Sequence, residues 1–150
     1  MPVDMAWRLL LAAGLGAALG LEREYRQKPA GLRTNILIAL GSALFTILSL
    51  EVTRTVGDPS RVAGQIVTGI GFLGGGAIMR NRDTVHGMTT AATIWVNAAI
   101  GVGAGMGQYS LATFTAALTL VVLVVLPPIE IYFERRAGWP DRHKPPPAAR

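Results

Sequence analysis

The chain contains no cysteine, which excludes disulfides, thiolate metal sites and a cysteine nucleophile. Its two histidines, His86 and His143, fall in a loop and in the tail, and leave a histidine metal cluster or a Ser-His-acid triad little to draw on. Eighteen glycines are present, but none is followed by the GK[ST] of a Walker loop, so phosphate-loop ATP hydrolysis is disfavoured. Charge is scarce at 15% of residues, and no Asp, Glu, Lys, Arg or His lies in the central part of any apolar run. Proton relays and charge-coupled carriers place such groups there, so a proton-driven pump is disfavoured as well. The expectation is a non-enzyme with no catalytic residue, no cofactor and no metal ligand set. The net charge of +5 invites nucleic acid as a partner. The basic residues, however, sit at the ends of apolar runs and in the tail, with no nucleic-acid motif beside them.

What the chain does have is apolar length. It is 51% hydrophobic with a mean hydropathy of +0.41, the balance of an integral membrane protein. Five segments, about residues 5–21, 34–50, 62–79, 90–106 and 110–126, read as membrane helices, giving an all-α, polytopic bundle. The first is the weakest, and needs Trp7 and Arg8 in the interface with the arginine snorkelling outward. A cleaved signal peptide is the rival reading, against which stand the lack of lysine and Asp4 before Arg8. Of fourteen Lys and Arg, eleven fall on the side of the first and third loops and the tail, against Arg8, Arg54 and Arg61 on the other. This places the N-terminus outside and the C-terminus in the cytoplasm. Residues 1–129 form the membrane domain, and 130–150 a tail expected to be largely disordered.

The glycines are spaced for helix contact. Gly69, Gly71, Gly74, Gly75 and Gly76 crowd the third segment, Gly101, Gly103, Gly105 and Gly107 the fourth, and Gly16 and Gly20 the first. Small residues four apart let helices approach closely in lipid, so segments one, three and four are expected to pack together. Segment five has no glycine before Pro127 and Pro128 and is expected to face lipid and to end there, with IEIYFERR continuing as an interfacial helix.

Several polar groups are candidates for function. Glu22, Arg23, Glu24 and Arg33 gather between segments one and two, where two carboxylates suit Mg2+ and interleaved arginines suit an interfacial ion-pair cluster; both readings stand. Asp58 before Pro59 makes a good helix start, with Arg61 and Gln65 following. Asn97 lies mid-segment, where an amide commonly bonds to a neighbouring helix. Arg33, Arg80 and Arg82, beside two helix N-termini, form a candidate anion site for a lipid headgroup phosphate; the alternative is that Glu22, Glu24 and Asp83 neutralise them.

Four phrases in order, GLERE at 20–24, AGLRTNILIALGSALFT at 30–46, DPSRVAGQIVTGIGFLGGGAIM at 58–79 and VHGMTTAATIWVNAAIG at 85–101, resemble the transmembrane domain of the MgtC/SapB family. The resemblance covers residues 9–126. It implies a small bacterial inner-membrane protein linked to growth at low magnesium and, in some members, to survival inside host cells. The chain is expected to be a short member without the soluble domain that follows the last span elsewhere. Regulation of other membrane machinery is the role expected first, and an oligomeric channel or facilitator for Mg2+ or another small solute second. The expected partners are the bilayer, including anionic phospholipid, a membrane-protein partner and further copies of the chain.

Overall fold

The computed structural model describes residues 3–53, 57–58, 60–80 and 85–137, with the side chain at position 134 excepted. Five helices follow one another: α1 (Val3–Tyr25), α2 (Leu32–Val52), α3 (Ser60–Gly76), α4 (Met88–Gly105) and α5 (Tyr109–Ala137). A small antiparallel pairing of β1 (Met79–Arg80) with β2 (Val85–His86) separates α3 from α4, with Met79 opposite His86. The chain divides into two units, residues 1–120 and 121–150, and the second contains the far part of α5. Residues 138–150, most of the expected disordered tail, lie outside the described residues.

Three helices, α1, α2 and α5, are long and apolar enough to cross a membrane. Helix α3 has 17 residues, about 25 Å at the helical rise and short of the ~30 Å hydrocarbon layer. Helix α4 has 18 residues, and its apolar content is diluted by Thr89, Thr90, Thr93 and Asn97. Five helices were expected and five are present, but two of them are marginal spans.

The centre of the first unit is α2, which packs against α1, α3 and α4. Glycines of α1 and α4 meet its backbone. A Cβ added at Gly16 would stand 2.7 Å from the Asn35 carbonyl oxygen, and one at Gly20 2.7 Å from the Leu32 Cα. One at Gly105 would stand 2.7 Å from the Ala43 carbonyl oxygen, and one at Gly101 would strike the Ala39 carbonyl oxygen and the Ser42 Cβ. The facing stripe of α2 is small and polar: Asn35, Ser42, Thr46 and Ser49 are all buried, at helical spacing. The Thr46 hydroxyl is satisfied by donating to the Ser42 carbonyl at 2.8 Å. A polar stripe buried against glycine gives close contact without bulky side chains, as helices in lipid require.

Helix α3 departs from expectation. It buries Ile70 and Gly74, and the latter has only ordinary contact with Ala91. A Cβ at Gly69, Gly71, Gly75 or Gly76 would meet nothing within 4 Å. These glycines therefore make no helix contact within the described chain, and the close-packed set is α1, α2 and α4 rather than segments one, three and four. Ile66, Ile70 and Gly74 form the inward stripe of α3, and at about 100° per residue Gly71 and Gly75 lie roughly 100° and 140° around the helix from its middle.

Helix α4 ends where Gly107, at φ +80°, turns the chain: its N–H bonds to the Ala104 carbonyl and that of Gln108 to the Gly103 carbonyl. The α5 that follows exposes Leu111, Phe114, Leu118, Val121 and Val125 and buries Ala112, Ala116 and Leu123. Pro127 and Pro128 lie inside α5 rather than ending it. Each removes one backbone donor, and the helix continues as IEIYFERR to Ala137.

Two substitutions separate the close contacts from the open glycines. Gly101→Leu should lower the detergent melting temperature strongly, since overpacking costs about 1–3 kcal/mol or more. Gly71→Leu should melt like wild type in the monomer. Equal melting of the two variants would show that α4 does not approach α2 as described.

Candidate functional site

The end of the bundle where α1 passes into α2 is held by ionic and capping contacts. Glu22 and Arg23 are nearly buried, with side chains 8% and 5% exposed, and the Arg23 Nε donates to Glu22 Oε2 at 2.5 Å. Arg26 Nε lies 2.8 Å from Glu22 Oε1, an ion pair without hydrogen-bond geometry. One carboxylate thus serves two guanidinium groups. Helix α1 closes on Gln27, at φ +53°, with the Lys28 N–H on the Arg23 carbonyl and the Gln27 N–H on that of Glu24.

Glu24 has a different task. Its Oε2 accepts from the backbone N–H of Leu32 at 3.1 Å, capping the first turn of α2 from another helix. Gly31, the residue before that turn, has no side chain of its own to offer, and a Cβ there would collide with the Glu24 carboxylate. The GLERE and AGLRT phrases therefore interlock. Inside them, the Asn35 Nδ2 donates to the carbonyls of Ala30 and Gly31. The Asn97 Nδ2 of α4 donates in turn to Asn35 O at 2.7 Å and Asn35 Oδ1 at 3.0 Å. Both asparagines are 0% exposed, so one polar link joins α4 to the α1–α2 turn.

These contacts are those that the ionic reading of the acidic pair expects. Glu22 is committed to Arg23 and Arg26, and Glu24 to a backbone N–H, so the pair forms an ionic and capping cluster. No group of three or more His, Asp or Glu able to hold a metal ion occurs among the described residues. The candidate anion site changes too. The α2 N-terminus is already capped by Glu24, and neither Glu22 nor Glu24 neutralises Arg33 or Arg80. Both arginines are exposed and form no ion pair among the described residues. Arg82, with Asp83, lies outside the described residues.

At the other end, Asp58 Oδ1 accepts from the Ser60 N–H at 2.9 Å, at the start of α3. Hydrogen bonding by Ser60, side chain first and backbone second, holds its carboxyl below the usual carboxylate value. Arg61 and Gln65 are exposed along the first turns of α3. Sequence reasoning missed a clasp here. Arg8 Nη2 lies 2.6 Å from Asp4 Oδ2, Arg8 Nη1 donates to the Gly105 carbonyl at 2.8 Å, and the Tyr109 hydroxyl donates to Asp4 Oδ1 at 2.7 Å. Arg8 therefore turns onto the C-terminal end of α4, where the helix dipole favours a cation, instead of snorkelling away. The spacing of Asp4 and Arg8, four apart, was the signal available. The buried α2 stripe of Asn35, Ser42, Thr46 and Ser49 was also overlooked, although its helical spacing was there to be read.

The MgtC family profile matches residues 9–132. Among curated relatives, the putative magnesium transporter YhiD of Escherichia coli K12 is 47% identical over 132 residues, covering 83% of this chain and 61% of that protein. Protein MgtC of Salmonella typhimurium LT2 is 50% identical over 115 residues, covering 77% of this chain and 48% of that protein. The uncharacterised protein slr0014 of Synechocystis is 45% identical over 129 residues, covering 86% and 55%. The chain thus spans about half to three-fifths of the length of these relatives. No solved structure matches.

The ionic cluster makes a graded prediction. Glu22→Gln strands Arg23 without its counter-charge and should cost about 3 kcal/mol or more, as breaking buried pairs does. Glu24→Gln keeps an acceptor oxygen and should cost only about 0.5–1 kcal/mol. Thermal melting in one detergent checks both, and the reverse order would contradict the assigned roles.

Proposed function

The chain belongs to the MgtC family, and from that premise we propose that it is a multi-pass protein of the bacterial inner membrane, linked to magnesium homeostasis, that regulates other membrane machinery. Membership and the magnesium-related name of YhiD support the magnesium link. The observation that favours regulation over conduction is the closed interior. Backbone stands against backbone at Gly16, Gly20, Gly101 and Gly105, which leaves no room for a hydrated cation where α1 and α4 meet α2. Mg2+ sheds its waters reluctantly and binds through carboxylates. The two carboxylates at the α1–α2 end are engaged by arginines and a backbone N–H. The excess of Lys and Arg on the side of the α1–α2 turn supports a cytoplasmic position for that turn and β1.

A second reading, an oligomeric facilitator, is favoured by one observation. Gly64, Gly71 and Gly75 on α3 are open to whatever lies beside the chain, and a pore between copies would be lined or sealed there.

The deciding experiment pairs growth with flux. A strain lacking its own family member should grow poorly at low magnesium and recover with this chain, while the purified chain in liposomes passes no Mg2+ above empty vesicles. Saturable Mg2+ flux from reconstituted protein would establish the facilitator instead. Failure to restore growth would remove the magnesium link.

A further inference from the structure

Helices α2 and α3 diverge and leave an apolar groove between them. It consists of two depressions, of about 550 and 470 Å3, that adjoin at Leu37, Ile38 and Leu73. Its walls are mainly aliphatic and aromatic, with Phe45, Ile66 and Ile70 in the second depression and Thr34, Ser42 and Gln65 the polar residues among the lining. One end stops at Thr34 and Gly76, the other near Phe45 and Val62. From Thr34 to Phe45 the helical rise gives about 16 Å, which is close to half the ~30 Å hydrocarbon layer, the depth of one leaflet.

The charge at the two ends differs. Arg33 directly precedes Thr34, and Arg80 follows shortly after Gly76 and Ala77, so both cationic groups flank the same end of the groove. Both are exposed and form no ion pair among the described residues, while Glu22 and Glu24 have other partners. We propose that this groove is a binding site for one anionic phospholipid, with an acyl chain between α2 and α3 and its phosphate against Arg33 and Arg80. An acyl chain fits the length and the apolar walls, and guanidinium groups favour phosphate oxygens as bidentate acceptors. Anionic lipid is abundant in the cytoplasmic leaflet, where the charge bias puts this end. The inference rests on the membrane assignment and not on the regulatory role, so lipid retention and the growth and flux assays fail independently.

The test is native mass spectrometry of the full chain released from detergent, supplied with phosphatidylglycerol or phosphatidylcholine. Wild type should retain phosphatidylglycerol about ten-fold better than phosphatidylcholine, a preference worth ~1.4 kcal/mol. The double variant Arg33→Gln, Arg80→Gln should bind both lipids alike. Gly69 lines the groove with nothing within 4 Å of its Cβ position, so Gly69→Leu should fill the space without disturbing the fold and lose both lipids. Gly71→Leu, in equally open space but outside the lining, should retain lipid as wild type does. An unchanged phosphatidylglycerol preference in the arginine variant, or undiminished lipid on Gly69→Leu, would overturn the site. So would a loss in Gly71→Leu equal to that in Gly69→Leu. Wild type free of lipid but dimeric, with the dimer broken by Gly69→Leu, would assign the groove to a second copy and overturn it equally.

Discussion

The approach of α1 and α4 to the backbone of α2 is the constraint on which the other contacts of the first unit depend. In lipid, apolar side chains gain little from burial against one another, because acyl chains are as apolar as leucine. Association therefore relies on contact area, and glycine provides it by letting carbonyl oxygens and Cβ atoms of α2 reach the neighbouring backbone. Gly16 and Gly20 of α1 and Gly101 and Gly105 of α4 close on one broad face of α2, and α1 and α4 also touch each other. The facing stripe of α2, Asn35 through Ser49, is small and polar, and its exposed side carries Leu37, Leu44, Phe45 and Leu48.

Close approach also sets the position of the polar groups at each end. With α1 and α2 in contact at Gly20 and Leu32, the turn between them is short, and Glu24 reaches the open N-terminus of α2 across Gly31. The same proximity desolvates Arg23, which is tolerable only because Glu22 stands beside it. At the opposite end, Arg8 and Tyr109 meet over Asp4 and fix α1 to the α4–α5 turn. Each end of the bundle thus carries opposite charges paired with one another.

The features available for function lie away from this closed core. They are the open glycine side of α3, the apolar groove that α3 forms with α2, and the exposed cationic groups of Arg33 and Arg80 at one mouth. Helix α3 packs on α4 and is set apart from α2 by the groove.

Composition and periodicity alone determined the membrane setting, the number of helices and the approximate limits of all but α5, because apolar runs of span length have few other solutions. They also marked glycine spacing as the means of packing. Only the tertiary structure decided which glycines are used. Gly16, Gly20, Gly101 and Gly105 close on α2, whereas Gly69, Gly71, Gly75 and Gly76 do not, since a four-residue spacing marks a flat helix face without saying what lies opposite. The roles of Glu22 and Glu24 were undecided for the same reason. Two carboxylates two residues apart suit a metal as well as structural contacts, and interleaved arginines favour the latter; the fold brings Arg23 and Arg26 to one and the Leu32 N–H to the other.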